Sequence, residues 1–340
     1  MTATYRRLGF FTRLMEEAGP HERYRFATEQ ILTAEREGFD TAWVAQHHFR
    51  APEGGLPAPL VLLSHLAAKT RNIRLGTGII TLPLENPIRV AEDAAVLDIL
   101  SGGRLELGVG SGGTPSSFTA FGLDSAARGE ILGKHLNVLR NAFAGEPFEG
   151  GDRLYPEAPG LVSRIWQATF SVDGGRRAGL AGDGLMLSRT QPRPKDRPQA
   201  RLDDVQNPII DAYLEALPAG VEPRIMASRS LFVGDRHEQA VDLAVKGLRR
   251  VRDQFIASGH TPPGDDRAEI ARAFDTHVGS PAAVVESLTA DSALDRVTDL
   301  VFQVHSVDPG HELTLRSIEL TAQKVALALS WRRTPTKLVA

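Results

Sequence analysis

The chain has 340 residues, 24% of them charged, and a formal net charge of −3 with acids and bases interspersed. That balance offers no basic face to nucleic acid or another polyanion. There is no cysteine, which excludes disulfides, thiolate catalysis and cysteine-held metal clusters.

The N-terminus, MTATYRRLGFFTRL, is basic, but its apolar run is too short for a signal peptide and reads better as a strand over 8–12. No apolar span reaches 18 residues, so no membrane segment is expected, and the cytosol is the expected compartment. A helix follows over 22–37, with Phe26, Gln30, Ile31 and Ala34 spaced by three or four, and Gly38 ends it. A strand is expected over 41–46, a helix over 58–69 and a strand over 73–79. Residues 87–100 form a long apolar helix with proline in its first turn and Gly102-Gly103 as its stop. A strand over 104–109 runs into the glycine-rich loop 110–113, whose backbone can approach a ligand closely. A helix between two such strands forces them parallel.

Further on, the patterning predicts a helix over 128–144, a strand over 164–169, a short helix over 173–181 and a strand over 184–187. A polar, proline-rich segment over 191–207 precedes a helix over 208–217. The remainder reads as a strand over 223–233, a helix over 237–257, a loop over 258–267, short helices over 268–274 and 280–288, a strand over 298–305 and a closing helix over 312–329. Eight strands alternating with helices argue for an α/β protein with a parallel sheet, closed as a (β/α)₈ barrel, with insertions after several strands. The whole of 1–340 is expected to be a single barrel domain. Gly108-x-Gly110-x-Gly112 lacks the dinucleotide-binding spacing, and the ten histidines show no metal-ligand spacing, so no metal is expected.

Active sites of such barrels lie at the C-terminal ends of the strands. His47-His48 ends the second strand, and alternation sends one ring to the barrel mouth and the other to the wall. They serve either as structural histidines bonded to loop backbone or as proton carriers near neutral pH. Gly76, Thr77 and Gly78 end the third strand, where small residues either admit a flat ring or serve packing. Ser111, Gly112, Gly113 and Thr114 offer amides and hydroxyls after the fourth. Ser171, Val172, Asp173, Gly174, Gly175, Arg176 and Arg177 open a helix after the fifth. That helix start is either a plain capped terminus or an anion site, where a phosphate would make the two first-turn arginines easier to understand. Ser188, Arg189 and Thr190 follow the sixth strand. Phe10, Leu82 and Phe118 are expected to wall the pocket. Glu92 and Asp93 are expected to pair with Arg89 and Arg104, and Asp183 to be a turn residue. The segment 191–207 rises from the same face and is expected to be a lid.

Two motifs carry a family resemblance. The first is Gly76-Thr77, Leu82-Pro83, Pro87, Arg89, Glu92-Asp93, Gly103-Arg104, Gly108 and Gly112, which follows the pattern GT-x₄-LP, P-x-R-x-x-E-D, GR-x₃-G-x₃-G. The second, upstream, is Asp40-Thr41-Ala42-Trp43-Val44-Ala45-Gln46-His47-His48-Phe49, against D-T-x-W-x-x-E-H-H-F. In this order the chain resembles the bacterial luciferase-like flavin monooxygenases, most weakly from 190 to 290. The resemblance implies a barrel that takes reduced FMN from a separate flavin reductase, reacts it with O₂ to a C4a-hydroperoxyflavin and oxygenates a small organic substrate. It assigns His47 to proton transfer near the flavin, a non-proline cis peptide to Gly78–Ile79, and the flavin phosphate to Ser171, Gly174, Gly175 and Arg176. Some relatives carry an arginine where this chain has Ser111, and Arg189 is a candidate replacement. Gln46 stands where the family frequently has glutamate. A homodimer is also implied. The alternatives are F420-dependent hydride transfer on the same fold and a non-catalytic flavin-binding protein.

Overall fold

The computed structural model describes residues 6–49, 51–257, 264–303 and 309–331. The strands are β1 (Arg7–Thr12), β2 (Thr41–Val44), β3 (Arg74–Thr77), β4 (Ile80–Thr81), β5 (Leu105–Gly110), β6 (Ile165–Ala168), β7 (Gly184–Leu187), β8 (Ile225–Val233), β9 (Thr276–Gly279) and β10 (Asp299–Gln303). They pair in parallel in the order β10-β1-β2-β3-β5-β6-β7-β8, and β8 pairs β10 to close the circle. The expected eight-stranded (β/α)₈ barrel is therefore the observed fold.

The helices are α1 (Pro20–Arg36), α2 (Pro59–Lys69), α3 (Pro87–Ser101), α4 (Pro115–Ala120), α5 (Arg128–Phe143), α6 (Val172–Leu180), α7 (Leu202–Ala216), α8 (His237–Arg250), α9 (Arg252–Ala257), α10 (Arg267–Ala273), α11 (Pro281–Thr289), α12 (Gly310–Leu320) and α13 (Ala326–Ala328). Local chemistry sets α3. The Asn86 side chain accepts from the amides of Ile88 and Arg89, Pro87 opens the first turn, and Gly102 stops the helix at φ 68°. Glu92 and Asp93 pair with Arg89 as expected, whereas Arg104 bonds Thr70 and the carbonyls of Ala67 and Ile73.

Four departures from the sequence reading stand out. The short strands β4 and β9 and the helix α4 were not expected. β9 pairs Ser230–Val233 of β8, starting at the last residue of β8 that closes the barrel, and its four residues are too few to show a period. Helix α7 begins at Leu202, six residues before Pro208. The proline removes one backbone bond, but packing holds the helix there. Gly175 and Gly179 of α6 approach α7 so closely that a Cβ would lie 2.6 Å from the Ile209 carbonyl and 2.4 Å from that of Tyr213. The expected 237–257 helix breaks at Val251 into α8 and α9, and the closing helix contains a π turn over Thr321–Val325. The expected loop residues 258–263, the strand end at 304–305 and the Phe255 side chain lie outside the described residues.

Strand alternation stacks the barrel interior in layers. On β1, Arg7, Gly9 and Phe11 share the inner face, while Leu8 and Phe10 pack in the large core between strands and helices. At the bottom, Glu106 accepts from Arg74 Nε at 2.6 Å, Arg7 Nη1 at 3.1 Å and Trp166 Nε1 at 2.7 Å. Arg7 Nε also pairs with Asp299 at 2.7 Å. Burial pushes the Glu106 carboxyl up, but Arg7 and Arg74 more than reverse this, and its pKa lies below the ordinary glutamate value. Above that layer sit Trp43 and Trp166, edge to face at 5.9 Å, with Met186, Met226 and Val301. Gly76 and Gly184 make room for them: a Cβ on either would lie 2.2 Å from the ring of Trp43 or Trp166.

Glu106→Gln keeps the volume but leaves two arginines facing an uncharged amide. The expected loss of folding stability is about 3 kcal/mol, measured by urea denaturation. A change within about 0.5 kcal/mol would show that the layer does not hold the barrel together.

Candidate active site

The inner face of β1 continues past its end. After Arg7, Gly9 and Phe11, the next inward position is Arg13, and on β2 the series Thr41, Trp43 leads to His47. The two meet at the mouth. Arg13 Nε donates to His47 Nε2 at 3.3 Å, and Arg13 Nη2 donates to the Glu53 carbonyl at 2.6 Å. Gly54 closes against the ring, since a Cβ there would lie 2.9 Å from His47 Cδ2. Burial, then Arg13, Arg189 and His48, lower the His47 pKa to about 3. The imidazole is therefore neutral at neutral pH. Its Nε2 is an acceptor for Arg13, which leaves the proton on Nδ1.

His48 turns the other way, as alternation requires. Its ring packs edge-on against Phe121 at 5.0 Å and beside Phe49, and burial lowers its pKa. Gln46 is a structural clasp. Its amide donates to the Pro57 carbonyl at 3.0 Å and to Glu85 Oε1 at 2.6 Å, and its oxygen accepts from the Thr81 amide at 2.7 Å. A neutral amide can do all three at once, because it both donates and accepts, whereas a carboxylate could only accept.

Around the mouth, Gly78–Ile79 is a cis peptide bond, and Gly78 lies against Phe11, with a Cβ position 3.1 Å from that ring. Gly76 and Thr77 lie deeper. Gly76 is shaped by Trp43, and the buried Thr77 hydroxyl donates to the Gly108 carbonyl at 2.8 Å and accepts from its amide at 2.9 Å. Ser111 and Gly112 follow β5, and Gly112 has φ 71° against Thr81. After β6, Ser171 caps α6 by accepting from the Gly174 amide at 3.1 Å. Gly174 is required by the Thr169 side chain, 1.9 Å from a Cβ position. Val172 and Arg176 are exposed, and Arg176 has no partner among the described residues. Arg177 reaches Gln167 instead. After β7, the Ser188 carbonyl accepts from Gln206 at 2.7 Å. Arg189 leans to β8 and donates from Nη1 to Ser230 Oγ at 3.0 Å. Burial, then Arg13, lower its pKa to about 9.

Phe10 and Leu82 belong to the core between strands and helices, so these two expected pocket walls are replaced by Phe11, Ile79 and Ala168, which pack on the barrel-interior cluster; the third, Phe118, is buried on α4. Asp183 is more than a turn residue: it is buried and bonded to Arg140 at 2.7 Å and Gln167 at 2.8 Å. The segment expected as a lid is loop only as far as Arg201. It is tied down by Arg193, which pairs with Asp275 and donates to the Ala200 carbonyl, and by Gln191, which donates to the Phe170 carbonyl. Beside it lies a cavity of about 720 Å³ against β9, α10 and α11. Among the described residues, no three His, Asp or Glu side chains are grouped to hold a metal, and no helix is long and apolar enough to cross a membrane.

Comparison with known proteins decides the family. The luciferase-like monooxygenase family model matches residues 7–298. The chain belongs to that family. It is 32% identical over 281 residues to 4-hydroxyprotoasukamycin monooxygenase of Streptomyces nodosus subsp. asukaensis, covering 77% of this chain and 73% of the relative. The FMN complex of the oxygenating constituent of 3,6-diketocamphane monooxygenase from Pseudomonas putida superposes with a TM-score of 0.76 at 18% identity, over 98% and 100% of the two chains. The coenzyme F420-dependent tetrahydromethanopterin reductase of Methanopyrus kandleri superposes with a TM-score of 0.70 at 18% identity, over 95% and 99%. Membership makes the chain an oxidoreductase. Arg13 escaped the sequence reading. The signal was present, since Arg13 continues the inward register of β1 two residues beyond Phe11.

His47 is expected to stay neutral from pH 8 down to pH 5 in an imidazole NMR titration, and a midpoint near 6.5 would contradict the site as drawn. The linkage has a sign. Between about 3 and 6.5 the unfolded chain binds a proton that folded His47 refuses, so this residue takes stability away as pH falls through that window.

Proposed function

We propose that the protein is a flavin-dependent monooxygenase that uses reduced FMN and O₂ to oxygenate a small organic substrate. The observation that carries this is the mouth itself: Gly78 packed against Phe11 on one side, and the neutral His47 on the other. The fit to a flavin rests on groups with spare capacity. The Val172 and Asp173 amides at the start of α6 have no intrahelical acceptor, and the exposed Arg176 has no partner among the described residues. Ser111, Gly112, Ser171, Gly174, Gly175 and Arg176 would hold the phosphate end, and Gly78, with Gly76 and Thr77 beneath it, would back the ring. When bound and reduced, the flavin supplies the electrons with which one oxygen atom enters the substrate. The protein's part is position and the exclusion of water. His47, with its proton on Nδ1, would donate a hydrogen bond to an oxygen that gains charge, and the Arg13 contact keeps that tautomer in place. The diketocamphane enzyme is described as an oxygenating constituent, which supports a separate reductase as the source of reduced FMN.

A second reading, hydride transfer with F420, has the Methanopyrus fold in its favour. Anaerobic titration with reduced FMN and with reduced F420, followed by oxygen, separates the two. Tight binding of reduced FMN and an oxygen-dependent flavin absorbance transient are expected. Preference for F420 with no oxygen-dependent transient would replace the monooxygenase reading.

Ile88, Val96, Ile99 and Leu100 of α3 and Val61 of α2 are exposed, and an apolar surface of this kind supports a homodimer. Light scattering is expected to give the mass of two chains, and Leu100→Glu to shift it towards one. A single-chain mass for the unaltered protein at micromolar concentration would reject the dimer.

A further inference from the structure

We propose that Arg13 and Arg189 form an anion-binding subsite at the barrel mouth that takes the carboxylate, or an equivalent oxyanion, of an acidic organic substrate. The proposal rests on the reading of this mouth as an oxygenase site and adds the substrate class to it.

The first observation is how this chain treats its other arginines. Arg7, Arg74, Arg140, Arg164, Arg193 and Arg229 are each drawn into the protein and paired with a carboxylate: Asp299, Glu106, Asp183, Asp98, Asp275 and Asp291. Arg104 and Arg224 place their guanidinium groups on backbone carbonyls. Arg13 and Arg189 do neither in full. Neither has an ion-pair partner among the described residues. Arg13 bonds a neutral imidazole and one carbonyl. Arg189 bonds one hydroxyl from Nη1, which leaves Nε and Nη2 without a partner among the described residues.

The second observation is convergence. Arg189 follows β7 and bonds Ser230 of β8, Ser230 is level with Gln303 of β10, and Gln303 is level with Phe11 of β1, two residues before Arg13. Arg13 in turn bonds His47, which follows β2, and both arginines lower the His47 pKa. Two cations and an imidazole from separate strands thus face one space above Phe11 and Val301. Among the described residues, the acidic groups that act on the two arginines are Glu53, on the Arg13 side, and Asp275, which Arg193 already engages. Half-buried like charges without a counterion are costly, and a bound anion offsets that cost through charge-assisted bonds, for which the guanidinium fork is suited.

The third observation separates this place from the phosphate end. Ser111 and Ser171 follow β5 and β6, whereas Arg13 and His47 follow β1 and β2, and Arg189, which follows β7 beside β6, directs its guanidinium to Ser230 of β8. A substrate held by its acidic group between Arg13 and Arg189 would have its remaining carbons directed to Phe11, Ile79 and Ala168.

The test uses the full chain and defined probes. Calorimetric titration compares benzoate with benzamide and octanoate with octanamide, in the presence and absence of FMN. FMN is compared with riboflavin. Arg13→Gln and Arg189→Gln are compared with Arg189→Lys. The expected result is binding of both acids and not of the amides, weakened by about tenfold or more in either glutamine variant, partly retained in Arg189→Lys, with FMN affinity unchanged. Binding of amides as tightly as acids by the unaltered protein would overturn the proposal and needs no variant. So would glutamine variants that weaken FMN but not riboflavin, since the pair would then hold the cofactor phosphate. Acid binding that depends on both arginines in a protein that binds no flavin would support the subsite and remove the oxygenase reading instead.

Discussion

A single carboxylate inside the barrel sets the frame for everything above it. Glu106 of β5 receives donors from Arg7 on β1, Arg74 on β3 and Trp166 on β6. These strands are not neighbours around the whole circle, so the charge acts across the barrel as well as along it. Removal of either arginine or the carboxylate leaves a group that water cannot reach freely, and such groups are expensive to leave unpaired. With the bottom closed by this layer and the middle filled by Trp43, Trp166, Met186, Met226 and Val301, the inward positions left for a ligand, among the described residues, lie past the C-terminal strand ends. The location of the site follows from that, without reference to any ligand.

At that level the register decides which residues meet. Period-two alternation carries the inner face from Arg7 to Arg13 on one strand and from Thr41 to His47 on the next. Their contact then fixes the chemistry. Burial, with Arg13 and Arg189 beside it, holds His47 neutral at neutral pH, which gives it the form of a hydrogen-bonding ring with a defined tautomer. The same pair of arginines that suppresses the imidazolium creates a positive space. One arrangement thus accounts for both the state of the histidine and the preference for an acidic ligand.

Much of this was legible in the sequence. Eight strand–helix repeats, the first-turn Pro87 and the Gly102-Gly103 stop of α3, and the two motifs identified the barrel and the family. The opposite orientation of His47 and His48 follows from alternation alone. Other features were not legible, for physical reasons. The glycines at 76, 174 and 175 read as ligand-facing from their positions, but each is also required by a neighbour distant in sequence or by its own turn: Trp43, Thr169 and Ile209. Helix α7 runs through Pro208 because packing against Gly175 and Gly179 outweighs one missing backbone bond. Assigning Phe10 rather than Phe11 to the pocket was an error of one residue, and in a strand one residue changes the face. Arg13 was missed because it lies outside both motifs, and only the three-dimensional register brings it to the mouth.

The most direct measurement is a crystal structure of the protein with FMN bound. The isoalloxazine ring is expected against Gly78–Ile79, the phosphate at the Ser171–Arg176 turn, and Arg13 and Arg189 still facing the open space beside His47. A phosphate seated between Arg13 and Arg189, or a ring outside the barrel mouth, would contradict this arrangement.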